Sequence, residues 1–306
     1  MENLTDTRES WIKTLNDART YGADLKGSRF EAYLATLDEL VGLQNRRKTD
    51  ADAYRGFRED LQRQELLFEA ASQMLQLQLA SFVWSRLDPT VLARKLKTVS
   101  RGAVMPIDGA GPDESRDTLV ELFAAAIMAE NGFSPQLTAS DEDLRFDLPE
   151  RPTIVAECKR PVGKDTLPTA IGRLRDQFWR RKSQGATLCM PIIAVERIEP
   201  FASLLIKAES SDQVDREVRR RMTLAIIEIQ RICRDDPRRH LGTLSPAGIA
   251  TFSGAVLVRR PKTYLHPFTV RLPFDTGDEK DTPEWLAEQF RWSTGLLAEF
   301  AQSRLE

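Results

Sequence analysis

The stretch DEDLRFDLPERPTIVAECKRP, residues 141–161, constrains the fold of this chain more than any other segment. Two short apolar runs, LRF at 144–146 and IVAEC at 154–158, flank the turn-prone residues Pro149–Arg151, the pattern of an antiparallel hairpin. Folding about that turn sets residue i opposite residue 300 − i. Asp143 then faces Glu157 with Cα atoms about 4.5 to 5.5 Å apart, and Lys159, two residues on, shares their face. Ile154, Ala156 and Cys158 take the other face and can enter a core. Asp147 is the rival aspartate, since it too follows an apolar residue. It lies four residues further along the strand, about 13 Å from Glu157, so the register favours Asp143.

Two carboxylates held this close repel, which raises the pKa of one of them unless a cation sits between. Oxygen ligands without histidine or thiolate suit Mg2+ or Mn2+, which complete their shells with water and substrate phosphate. Such an ion can activate a water and stabilise charge on a scissile phosphate, and Lys159 is placed to orient that water or take its proton. Upstream, Glu121 sits among Val120, Leu122 and Phe123 on a helix, an awkward place for a solvated residue, which makes it a candidate third acid. Blander readings exist for each: Glu121 can pair with an arginine, and Glu157 with Lys159 can form an edge-strand ion pair worth about 0 to 1 kcal/mol.

Other chemistries have little to work with. There are two histidines, His240 and His266, neither in a carboxylate or cysteine constellation, and none of the GxSxG, GxxxxGK[ST] or GxGxxG turns. The three cysteines, Cys158, Cys189 and Cys233, lack CxxC spacing. No apolar run approaches the roughly 18 to 20 residues of a membrane span, and the start MENLTDTRESW lacks a secretory leader. A reducing cytoplasm is therefore expected, with no membrane partner. The formal net charge of −2 gives no general reason to expect a nucleic-acid binder. Local charge differs: between Arg151 and Lys182 there are nine Lys or Arg against three acids. Arg160, Arg173, Arg180, Arg181 and Lys182 are the candidate phosphate contacts; the alternative is an ordinary solvated helix face with Leu174, Phe178 and Trp179 as its core stripe.

Along the chain, apolar spacing of three and four residues predicts helices up to about residue 100. Trp11, Leu15 and Ala18 mark the first, and Phe30 to Val41 the second. Tyr54, Phe57, Leu61 and Gln64 open a third that continues through Phe82, upward of about thirty residues. Asp88-Pro89 starts a short one. The Gly- and Pro-rich RGAVMPIDGAGP, residues 101–112, is the expected boundary between a helical domain at 1–105, regulatory, oligomerising or recruiting, and an α/β domain at 106–306. The second part should hold a helix from Asp113 to Glu130, the hairpin, a basic helix from about Pro168 to Ser183 and a strand from Thr187 to Val195. A helix from about Asp212 to Arg234 follows, with Ser210 and Gln213 spaced as a capping box. Strands AVLVRR and FTVRL come next, and a last helix begins at Thr282-Pro283.

On these residues the sequence resembles the PD-(D/E)xK nuclease superfamily, the restriction-endonuclease-like fold. The likeness consists of the Glu121 helix, the Asp143 strand, the Glu157-Cys158-Lys159 tripeptide ending the next strand, and a following helix with Gln177, over about residues 113–195. Glu142 stands where that pattern often has proline. The resemblance implies an α/β/α core and Mg2+- or Mn2+-dependent hydrolysis of phosphodiester bonds, in DNA more than RNA, of the kind used in bacterial restriction or phage defence. It further implies Asp143, Glu157, Glu121 and the backbone carbonyl of Cys158 as metal ligands, Lys159 at the nucleophilic water, and Gln177 in support. The competing expectation is the same fold without catalysis, binding nucleic acid or a protein partner. A homo-oligomer or protein partner would engage the N-terminal helices.

Overall fold

Aspartate side chains open four of the helices. Asp50 accepts the N–H of Ala53, Asp60 that of Arg63, Asp88 those of Thr90 and Val91, and Asp113 that of Arg116, each satisfying donors that a helix start leaves without partners. The computed structural model describes residues 4–47, 49–105, 113–138, 143–147, 150, 153–161, 163–183, 188–196, 211–235, 247–258 and 264–275. Its helices are α1 (Leu4–Thr20), α2 (Arg29–Asn45), α3 (Ala51–Glu59), α4 (Leu61–Ser81), α5 (Pro89–Ser100), α6 (Glu114–Glu130), α7 (Leu167–Ser183) and α8 (Ser211–Asp235). Its strands are β1 (Ser134–Leu137), β2 (Leu144–Asp147), β3 (Ile154–Lys159), β4 (Leu188–Ala194), β5 (Ala247–Val258) and β6 (Tyr264–Asp275).

The chain is a mixed α/β protein, and one expected helix is in fact two. Asp60 breaks the third helix into α3 and α4 with an extended backbone, φ −74° and ψ 104°. Apolar periodicity runs through this position, but an aspartate gains more by capping the next helix than by continuing the last. Helix α6 ends where Asn131-Gly132 predicts. Gly132 adopts φ 82°, and the N–H groups of Gly132 and Phe133 return to the carbonyls of Ala129 and Met128. That left-handed stop suits glycine.

The six strands lie in sequential order, β1 to β6. The β1–β2, β2–β3 and β5–β6 pairs are antiparallel, and β3–β4 and β4–β5 are parallel. The expected hairpin register holds: Leu144 faces Ala156, Arg145 faces Val155 and Phe146 faces Ile154. Local pattern does not foretell strand β1. It has four residues and contains Pro135, which an edge strand tolerates. Strands β5 and β6 are longer than AVLVRR and FTVRL suggest. Ile249 to Thr251 of β5 pair with β4, and β6 begins at Tyr264, ahead of the FTVRL run that starts at Phe268; pairing with a central strand outweighs weak local propensity.

Alternation along β3 separates the two faces of the sheet. Ile154, Ala156 and Cys158 join a buried cluster with α6 and the N-terminal helices, whereas Glu157 bonds to α7. Parallel strands require crossovers, and right-handed crossovers from β3 to β4 and from β4 to β5 put α7 and α8 together on the second face, where they touch. The cluster is continuous from Leu4, Trp11 and Trp84 through Phe123 to Met190 and Ile249. The helices of 1–105 and the sheet therefore share one apolar core: α4 packs on α6 and β5, and Ser72 Oγ donates to the Ser253 carbonyl at 2.9 Å. Residues 106–112, Ser210, His240, the helix expected from Thr282, and the side chains of Lys182, Val218 and His266 lie outside the described residues. Among the described residues no helix is long and apolar enough to cross a membrane.

Candidate active site

Asp143 immediately precedes β2, and the hairpin register carries it to the end of β3. Its Oδ2 accepts the N–H of Cys158 at 2.7 Å and lies 3.8 Å from Lys159 Nζ. Lys159 Nζ also donates to the Cys158 carbonyl at 2.9 Å, so the backbone oxygen expected to face a metal is held here by the lysine. Glu157 is 0% exposed. Gln177 Nε2 donates to its Oε2 at 2.6 Å and Arg181 Nε to its Oε1 at 3.1 Å, both from α7. Each carboxylate oxygen keeps a further lone pair. Glu121, from α6 on the other face of the sheet, is ion-paired to Lys95 of α5.

Asp143, Glu157 and Lys159 thus lie at one strand end, with Gln177 bonded to Glu157 on one face of the sheet and Glu121 in electrostatic range on the other, while the basic candidates divide. Arg173 and Arg180 are exposed on α7. Arg181 turns inward to Glu157, and Arg160 is buried against Glu69 of α4 at 3.6 Å. Reading both as surface phosphate contacts is corrected: each guanidinium is drawn in by a buried carboxylate that needs a counter-charge. Asp147, the rival aspartate, accepts from Thr153 Oγ1 and Gln136 Nε2, each at 2.7 Å, at the far end of β2. Cys158 is a buried core residue whose thiol pKa burial drives upward.

Sequence reasoning missed two residues. Asp117 is one turn before Glu121 and interacts electrostatically with Lys159, Arg160 and Asp143; the four-residue spacing on one helical face was the available signal. Lys95 carried no signal, because only the packing of α5 on α6 brings it to Glu121.

Burial, then the negative charge of Asp143, raises the pKa values of both Glu121 and Glu157, against the lowering effects of Lys95, Lys159 and Arg181. Burial chiefly pushes Asp117 up to about 6. Among the described residues no three His, Cys, Asp or Glu side chains are grouped as a formed metal cage. The donor chemistry suits a hard divalent cation: the acids offer oxygen ligands only, and two of them ionise reluctantly because they are buried and, second, because Asp143 is charged. Gln177 Oε1 is also buried without a hydrogen-bond partner.

These shifts fix a pH dependence. A carboxyl whose pKa is raised on folding binds more protons in the folded chain, so stability is fully present below the ordinary carboxylate range and declines as pH rises through the folded value. The metal-free protein is expected to lose stability between about pH 4 and about pH 6 through Asp117 and further toward neutrality through Glu121 and Glu157. Urea titrations across this range, with and without Mn2+, check it. The ion favours the ionised carboxylates and should flatten the decline; rising stability over the same range would contradict the assignment.

Compared with known proteins, the chain matches no family model, no curated protein and no solved structure.

Proposed function

We propose that the protein is a metal-dependent nuclease of the PD-(D/E)xK type, built on a restriction-endonuclease-like core and hydrolysing phosphodiester bonds in nucleic acid, with DNA the favoured substrate. The observation that carries this reading is the meeting of Asp143, Glu157 and Lys159 at one strand end with Glu121 beside them. Asp143, Glu157 and Glu121 are the side chains that would hold Mg2+ or Mn2+. Bound there, the ion supplies a water of lowered pKa and neutralises charge building on the phosphate. Gln177 and Arg181 fix the Glu157 carboxylate in one orientation. Lys159, anchored by the Cys158 carbonyl and partly solvent-exposed, is placed to hold or receive a proton of that water. Arg173 and Arg180, exposed on the helix that carries Gln177, extend the site toward flanking phosphates.

A second reading is a nuclease-like module that binds without cutting. Its support is the internal compensation of the acids by Lys95, Lys159 and Arg181. Incubating plasmid DNA, linear DNA and RNA with Mg2+, Mn2+ or EDTA, beside Lys159→Ala, separates the two. Metal-dependent cleavage that falls about a hundredfold or more in the variant is expected, the usual weight of a positioned proton-transfer group. Binding without cleavage, unchanged by the substitution, would favour the module.

A further inference from the structure

Helix α5 belongs to the N-terminal layer, yet it delivers an ammonium group to the site just described. Lys95 Nζ pairs with Glu121 Oε2, and the two side chains are only 15% and 10% exposed. Asp143 and Lys159, at 17% and 20%, are comparably accessible, and both act electrostatically on Glu121. Among the described residues four carboxylates, Asp117, Glu121, Asp143 and Glu157, interact here with four cationic side chains, Lys95, Lys159, Arg160 and Arg181. If all are ionised the group is formally neutral. A divalent ion would add two positive charges, which favours an incoming phosphodiester anion.

We infer that Lys95 is a substrate-contacting residue that serves two anions in turn, an inference that rests on the nuclease reading. Without metal it is the counter-ion of Glu121. When a divalent cation takes over that carboxylate, the ammonium would be released and, on its flexible stem, bind a non-bridging oxygen of the incoming phosphodiester. Lys95 therefore competes with the metal and cooperates with the substrate. The N-terminal helical layer then contributes directly to substrate binding, through a residue far from the hairpin in sequence.

Lys95→Met keeps the apolar stem and removes the charge; Lys95→Arg keeps the charge. Both are compared with the wild-type full chain for folding by circular dichroism, for Mn2+ affinity by calorimetry, and for affinity toward a fluorescent DNA duplex in Ca2+, a hard cation that accepts the same oxygen ligands. Lys95→Met is expected to bind Mn2+ about tenfold more tightly and the duplex about tenfold less tightly, the weight of one charge-assisted hydrogen bond in each case. Lys95→Arg should recover part of the duplex affinity. Unchanged or weaker Mn2+ binding by Lys95→Met, or unchanged duplex binding, would overturn the inference. If the wild-type chain cleaves no nucleic acid yet both shifts are seen, the catalytic reading fails and the anchoring role stands. If it cleaves and neither shift is seen, the nuclease reading stands and the role of Lys95 fails.

Discussion

Replacing Asp143 with asparagine is expected to cut metal-dependent cleavage by about a thousandfold or more and at the same time to stabilise the metal-free chain. The first effect follows from removing the carboxylate that faces both the other acids and Lys159, since an amide oxygen neither holds a hard cation as well nor helps it stabilise several kcal/mol of transition-state charge. The second follows from repulsion. The negative charge of Asp143 contributes to the raised pKa values of Asp117, Glu121 and Glu157. The asparagine oxygen can still accept the Cys158 N–H that Asp143 Oδ2 accepts now. The partly exposed 3.8 Å contact with Lys159 is a minor loss. A gain of about 2 to 4 °C in melting temperature corresponds to relief of about 1 kcal/mol in a chain of this order of size. Melting curves with and without Mn2+, run beside the cleavage assay, test both halves. Wild-type cleavage by Asp143→Asn would remove the proposed centre.

Arg116→Leu should be the most destabilising single change outside the apolar core. Arg116 is 1% exposed. Its Nε donates to Glu69 Oε1 at 2.8 Å, one terminal nitrogen pairs with Asp113 Oδ2, and the other reaches the carbonyls of Ala103 and Val104, each at 3.0 Å. The residue thus ties α4, the start of α6 and the segment after α5 together. Glu69 also meets Arg160, next to Lys159. Leucine leaves Glu69 and Asp113 short of their main counter-charge in a region with little water, a loss of about 3 to 5 kcal/mol, out of about 5 to 15 kcal/mol for a typical domain. Arg116→Lys keeps the charge but cannot fork to several acceptors, and should fall between. Equilibrium urea unfolding measures both; a loss below about 1 kcal/mol for the leucine variant would show that water replaces the guanidinium.

The same residues show what can be read locally. The alternation of LRF and IVAEC about a short turn determined the strand register to the residue, because slipping by one position would turn Glu157 into the apolar cluster and Ala156 out of it. Asp88-Pro89 and Asn131-Gly132 determined the start of α5 and the end of α6, since cap and turn chemistry acts within a few residues. Where two local rules competed, at Asp60, periodicity lost to capping. Strands β5 and β6 were under-read because their length comes from pairing with β4 and with each other.

What the sequence by itself determined was most of the helices and central strands, though not β1 or the break between α3 and α4, and the juxtaposition of Asp143, Glu157 and Lys159, which is set by contacts between near neighbours along one hairpin. What only the tertiary structure decided was which charges answer them: Lys95 for Glu121, Arg181 for Glu157, Glu69 for Arg160. Those pairings join helices and strands whose approach is driven by apolar burial, which has no direction and leaves no charge pattern in the chain to mark which acid will meet which base.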